Sequence, residues 1–457
     1  MNWIDELKAA LGSGIHTDEA TLQAHAADKW HASALPQVVA LPASTDEVAA
    51  VMRIASAHGI PVTPRGAGVG YVGGCVPVRG GIVLSTARMN RITELNPGDG
   101  VAVVEPGVRT ADLQAACAEL GWFYPPDPAS RKDSSIGGNI ATNAGGPRCL
   151  KYGVTRSYVL GLQVVLADGR VLNCGGRTHK NKQGFDLVGL FCGSEGMLGI
   201  ITRATLRIIP APPARAALHA AFPRFALAAE AVQRVLQAGH LPCALEITDA
   251  FTLAAARRHL GPSVLPENAE GHLILEIDGQ QEAVLAELAA LQSLLAEIGA
   301  SAIFPARSED EVEAIWQLRR GFSESLKATG LTKLNEDIVI PRSRLVDLVE
   351  FCAEMQHESG IPVACFGHSG DGNIHTNIMV LKDEHGNDRR SEADALLHRL
   401  FAWVLSHGGS ITGEHGIGLA KAPWFPSAIG SVAMDTHRAL KLALDPAGIL
   451  NPGKMGL

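Results

Sequence analysis

Phe366-Gly-His-Ser-Gly-Asp-Gly-Asn-Ile-His-Thr-Asn377 lies between two apolar, β-prone runs, Ile361-Pro-Val-Ala-Cys-Phe366 and Ile374-His-Thr-Asn-Ile-Met-Val380. Asp371-Gly372 is a strong turn signal, because glycine enters the left-handed backbone region of a tight reversal without steric cost. The stretch therefore predicts two strands joined by a short loop, which brings the imidazoles of His368 and His375 towards one point. Further on, Thr412-Gly-Glu-His-Gly-Ile-Gly418 offers a carboxylate, Glu414, and another imidazole, His415. Two histidines and a glutamate make a three-ligand set for a divalent metal with open positions, and His415 is left over as a base. A lone histidine beside a glycine turn is usually a hydrogen-bonded structural residue. The concentration of ionisable groups in glycine-rich segments argues for more, since each is costly to bury without a partner and glycine lets the backbone approach a ligand closely.

The rest of the chain is consistent with an enzyme of several parts. Its 457 residues exceed what one core organises and suffice for two or three domains. A formal net charge of -8, with no basic stripe interleaved with aromatics, gives no support for nucleic-acid binding. No two of the eight cysteines have Cys-x-x-Cys spacing, which argues against an iron–sulfur cluster or structural zinc; they read as small buried residues in a reducing compartment. The N-terminus, Met1-Asn-Trp-Ile-Asp-Glu-Leu7, is charged early and lacks a signal-peptide core, and no run of about 18 apolar residues predicts a membrane span. The expected location is cytoplasmic, with peripheral contact at the inner face of a membrane left open.

Three glycine segments precede the histidines. In the first, Gly66-Ala-Gly-Val-Gly70-Tyr-Val-Gly-Gly74, successive unshielded N–H groups form a nest that can cradle a pyrophosphate. It is not a Rossmann fingerprint, which needs a strand before the glycines and a helix after them. Here the helix Thr45–His58, N-capped by Thr45, reads as the element before the loop, and the β run Gly81–Ser85 comes after it. The second segment, Ser134–Gly146, mixes glycines with amide and hydroxyl groups and suits close packing against a flat polar ring system; its plainer reading is a tight helix packed on its neighbours. The third is Gly193-Ser-Glu-Gly-Met-Leu-Gly199, leading into a strand at Ile200–Ile209. Pro210-Ala-Pro-Pro-Ala214 ends both of its flanking elements and is the best domain boundary. After it come long Ala/Leu-rich helices with strands between them.

Six segments in order resemble the FAD-dependent D-2-hydroxyacid dehydrogenases of the vanillyl-alcohol-oxidase (PCMH-type) superfamily: Pro64–Gly70, Gly137–Asn143, Gly193–Gly199, Gly367–His375, Thr412–Gly416 and Asn451-Pro-Gly-Lys454. The likeness runs from about residue 34 to Lys454. It implies an α+β protein: N-terminal helices at 1–34, a PCMH-type FAD-binding domain of two α+β subdomains at 35–212, an α+β substrate-binding cap with an antiparallel sheet at 213–425, and a C-terminal segment at 426–457 returning to the FAD domain. It implies FAD held noncovalently, because Val69-Gly70-Tyr71 stands where covalently flavinylated relatives carry a histidine. Arg65, Gly66, Ala67, Gly68, Val69, Gly70, Gly73 and Gly74 are expected around the pyrophosphate. Pro126, Asp127, Ser130, Gly137, Gly138, Asn139, Thr142, Asn143 and Gly145 are expected along the dinucleotide and flavin, with Glu195, Gly196, Gly199, Ile201 and Asn451 completing the wall.

The same resemblance implies that His368, His375 and Glu414 bind Zn²⁺ or Mn²⁺ and that His415 is the catalytic base. Arg319, in Trp316-Gln-Leu-Arg319, is expected to take the substrate carboxylate, with Arg320 as the alternative and Lys333 as a second contact. The expected reaction is oxidation of a D-2-hydroxy acid to the 2-oxo acid with transfer to flavin, D-lactate first. D-2-hydroxyglutarate, the flavin subunit of a glycolate-oxidising complex, and a non-catalytic flavin-binding protein are the alternatives. The electron acceptor is left open among a quinone, a cytochrome, an electron-transfer flavoprotein and an iron–sulfur subunit.

Overall fold

The computed structural model describes residues 2–261, 266–382 and 386–457, and they form two compact units. The first contains residues 1–145, 153–211 and 414–457; the second contains 146–152 and 212–413. The border after Ala211 falls inside the proline cluster.

The first unit holds two larger sheets and a two-stranded pair, Trp122–Phe123 with Ile209–Pro210. In the four-stranded sheet the order is Ile15–His16, Val38–Ala40, Ile82–Ser85 and Val62–Arg65, and the last three run parallel. The helix Thr45–His58 covers this sheet with Val48, Val51, Met52 and Ala55, and the helix Trp3–Leu11 adds Leu7 and Leu11 to the same core. A leucine buried as fully as Leu7 contributes roughly 1.5–3 kcal/mol, so the helix Trp3–Leu11 is part of this core. The cap of Thr45–His58 is Ser44, one residue earlier than the sequence suggests; its hydroxyl accepts the Glu47 N–H at 3.2 Å. The strand Val62–Arg65 lies directly before the first glycine loop, where the sequence reading placed only a helix. The Rossmann exclusion stands because a strand, not a helix, follows the loop. The second sheet is antiparallel, ordered Ile92–Asn96, Val101–Val104, Ile200–Arg207, Val159–Val165 and Val171–Gly175.

The second unit is built on one seven-stranded sheet, ordered Ala302–Ala306, Ala214–Phe222, Gly271–Gly279, Ala244–Asp249, Val363–His368, Asn373–Val380 and Thr332–Val339, every ladder antiparallel. One face carries the helix Glu309–Lys327, whose Ser308–Glu311 capping box fixes its start. Ile315 and Trp316 of this helix pack on Ala217, Ala244 and Ile274 of the sheet. Residues 146–152 are tied to the sheet by Arg148 to Glu276 (2.9 Å) and by Lys151 to the carbonyl of Asp278 (2.8 Å).

Candidate functional site

The predicted hairpin forms. Val363–His368 and Asn373–Val380 are joined by Ser369–Gly372, with Gly372 at φ 86°. A Cβ on Gly372 would stand 2.1 Å from the Ile340 carbonyl oxygen, so only glycine fits. Cross-strand partners share a sheet face, and side chains two residues apart return to it. Phe366 pairs with His375 and His368 with Asn373, so both histidines project from one face as diagonal neighbours. Their ring centroids are 5.4 Å apart at 81°.

The next strands extend this face. Glu246 pairs with His368, and Asp337 pairs with His375. The Glu246 carboxylate is almost fully buried and lies 2.5 Å from His368 Nδ1 and 2.5 Å from Arg319 Nε. Burial raises the carboxyl pKa, but the Arg319 charge and the interactions with His368 and Arg319 outweigh it and hold the group down at about 2. A carboxylate there fixes the proton on His368 Nδ1 and leaves the lone pair on Nε2, the tautomer a metal ligand needs. Asp337, fully buried, accepts the Gly413 N–H at 2.9 Å and the Thr412 hydroxyl, so the peptide that leads into Glu414 is bonded to the histidine-bearing sheet. A Cβ on Gly413 would stand 2.2 Å from Asn373 Nδ2. Glu414 is one peptide bond beyond, and His368, His375 and Glu414 each offer a ligand atom within 4.8 Å of the others.

The helix Glu309–Lys327 brings Arg319 to this face. Trp316, Arg319 and Ser323 recur at i, i+3 and i+7 and meet the sheet. Trp316 Nε1 donates to Glu276, Arg319 lies 4.8 Å over the Phe366 ring, and Ser323 Oγ accepts from Lys333 Nζ at 3.0 Å. Arg320 is a correction: it points outward and pairs with Glu313. Lys333 belongs to the unbroken strand Thr332–Val339 and shares its face with Asn335 and Asp337. Burial, aided by the charge of Lys327, lowers its pKa to about 8. Between Lys333 and His375 lie Asn335 and Asn377, paired across the strands; Asn377 Nδ2 donates to the Ala364 and His375 carbonyls at 3.0 Å. The Oδ1 atoms of both asparagines are buried with no hydrogen bond among the described residues.

In the first unit the glycine segments converge. A Cβ on Gly66 would lie 2.4 Å from Ser135 Oγ, and one on Gly196 3.0 Å from Pro64 Cγ. The second segment is a seven-residue helix, Ile136–Thr142, capped by Ser135 and ended by Asn143 at φ 51°. Gly137 packs on Pro106, and Asn139 donates to Thr110 Oγ1 at 2.7 Å. Thr142 bonds the Gly138 carbonyl, Pro126 accepts from Gln114, and Ser130 turns the chain through its carbonyl; Asp127 and Ile201 are buried. The third segment bonds the second through Gly193 N to Ile140 O and Glu195 N to Ala141 O. Asn451 Nδ2 bridges the carbonyls of Gly74 (2.9 Å) and Glu195 (2.7 Å). The Glu195 carboxylate accepts the N–H groups of Ile417 (2.7 Å) and Gly418 (2.8 Å), shaping the turn after His415. Burial raises its pKa against these amides. The His415 ring lies 5.2 Å from that of Tyr71, in the first loop. At Gly66, Gly137 and Gly196 a Cβ would run into the side chains of Ser135, Pro106 and Pro64, so glycine lets these segments pack closely together.

Sequence reasoning missed Glu246, Asp337, Asn335 and Asn377. Glu246, Asp337 and Asn335 are cross-strand or diagonal neighbours of the histidines, and Asn377 is two residues from His375 on the same strand.

Comparison with known proteins agrees with this architecture. The family described as FAD linked oxidases, C-terminal domain, matches residues 211–455, and the FAD binding domain family matches 36–175. A protein named glycolate oxidase subunit GlcD, from Bacillus subtilis, is 38% identical over 421 residues, 92% of this chain and 89% of the relative. A D-lactate dehydrogenase from Anaerostipes hadrus is 34% identical over 431 residues, 93% of this chain and 90% of the relative. The fold matches that of p-cresol methylhydroxylase with a TM-score of 0.77 at 19% identity, over 100% of this chain and 96% of that one.

Proposed function

The chain belongs to the FAD-linked oxidases, and from that premise we propose that it oxidises a small D-2-hydroxy acid to the 2-oxo acid with the help of a divalent metal. The observation that carries the reading is the clustering of His368, His375 and Glu414, with Glu246 fixing the tautomer of His368. This donor set, two imidazoles and one carboxylate, suits Zn²⁺ or Mn²⁺. The amides of the loop at 66–70 suit the FAD pyrophosphate, and the segments around Gly137–Asn143 and Glu195–Gly199 suit the rest of a noncovalent dinucleotide. Bound FAD supplies the hydride acceptor, and a metal held by the three ligands supplies a Lewis acid for the substrate oxygens.

The chain's own residues do the remainder. Arg319 binds Glu246 through Nε alone among the described residues, so its terminal amino groups suit a substrate carboxylate. His415 accepts the hydroxyl proton, since an imidazole titrates near neutrality. Lys333 and Ser323, with the acceptor oxygens of Asn335 and Asn377, bound the substrate beyond its second carbon.

D-lactate is the first substrate, in keeping with a dehydrogenase named for it among the relatives. Glycolate is the second reading, favoured by the glycolate oxidase subunit at 38% identity; in that case a partner subunit takes the electrons. D-2-hydroxyglutarate would place a second carboxylate at Lys333. The test is anaerobic mixing of the flavin-loaded protein with D-lactate, L-lactate, glycolate, D-malate and D-2-hydroxyglutarate separately, followed by flavin bleaching. Rapid bleaching by one D-acid or by glycolate names the substrate. No bleaching by any of them overturns the reading.

A further inference from the structure

Residues 27–30 wrap the first glycine loop. The Ala27 carbonyl accepts from Arg65 Nη1 at 2.8 Å, and Lys29 N–H donates to the Gly70 carbonyl at 2.9 Å. A Cβ on Gly73 would stand 2.9 Å from Trp30 Cε3. Asp28 is at the centre of these ties. Its Oδ1 accepts the Trp30 N–H at 2.9 Å. Its Oδ2 is buried, lies 3.6 Å from the Cβ position of Gly70, and makes no hydrogen bond of ordinary geometry among the described residues. Burial raises the pKa of the group, opposed by the Trp30 amide, the Arg65 charge and the Gly73 and Gly74 amides, which favour the carboxylate. All of these are donors or cations, and a buried carboxylate oxygen is tolerated only in such surroundings.

We propose that Asp28 is a positioning residue for the FAD-binding loop: pinned at one oxygen by Trp30, it holds the Gly70–Gly74 arc and leaves the amides of residues 66–70 for the pyrophosphate. The inference rests on the flavin reading above.

Asp28→Asn tests it, because asparagine keeps the acceptor for Trp30 and turns an NH₂ group towards the other donors. The FAD dissociation constant of the flavin-free protein is measured by flavin fluorescence. Amide hydrogen exchange is followed in peptides covering residues 66–76 and 363–380, and the melting temperature is recorded alongside. The expected result is a rise in the FAD dissociation constant of about tenfold or more, as a buried charge that faces the loop is replaced by a neutral donor group. Faster exchange is expected at 66–76 and none at 363–380. Wild-type affinity and wild-type exchange at 66–76 in the variant overturn the proposal. If Asp28→Asn does not fold, Asp28→Ser, which keeps one acceptor oxygen, is judged on the same two readouts. Failure of the wild-type protein to bind FAD would instead overturn the flavin reading.

Discussion

At the scale of residues, Glu246 holds the site's charge together, because one buried carboxylate serves both His368 and Arg319. Glu246→Gln keeps its shape, removes the charge and frees the tautomer of His368. Metal affinity is expected to fall about 10–100-fold, measured by competition with a chelating indicator while circular dichroism shows an unchanged fold. Lys333 gives a pH signature. Burial depresses its pKa to about 8, so its ammonium charge is present below that pH and lost above it. The KM for the acid is expected to rise as pH passes about 8, and Lys333→Arg, which stays charged, flattens the rise. The stability linkage has the opposite slope: from about pH 8 up to the ordinary lysine range the unfolded chain binds more protons, so this group makes the native state more stable as pH rises.

At the scale of elements, the histidine hairpin was legible because its information is local: a turn dipeptide, two β-prone runs and a period of two. The glycine segments were legible for the same reason. Glu246 and Asp337 were not, since their relation to His368 and His375 is set by which strands of a seven-stranded sheet become neighbours and in what register. A sequence pattern does not encode that pairing; Glu246 lies 122 residues from His368. Asp28 was missed for a related reason: it reads as the end of a helical leader, while its partners belong to a loop some forty residues on. The closing loop makes the element argument testable. Asp337 and Gly413 fix the peptide before Glu414, so Asp337→Asn is expected to weaken metal binding about tenfold or more through loss of a charge-assisted bond, with FAD content unchanged. Gly413→Ala meets Asn373 and the Val339 side chain and is expected to lower the melting temperature as well. Wild-type metal affinity in Asp337→Asn would remove that residue from the site.

At the scale of the whole molecule, the two units have separate sheets: the first carries the glycine segments, the second the histidine sheet. No helix among the described residues is long and apolar enough to cross a membrane. FAD binding only the folded state should stabilise it by about 2.7 kcal/mol at a hundredfold excess over the dissociation constant, and the melting temperature should rise accordingly. A calorimetric series with added FAD checks this.

The most direct test of the central claim is the rate of flavin reduction by the preferred acid, measured anaerobically with one preparation before chelation, after removal of metal verified by elemental analysis, and after Zn²⁺ or Mn²⁺ is restored. The account predicts a fall of about 100-fold or more on stripping, the weight of a few kcal/mol of transition-state charge stabilisation, with recovery on restoration. An unchanged rate in verified metal-free protein would contradict it.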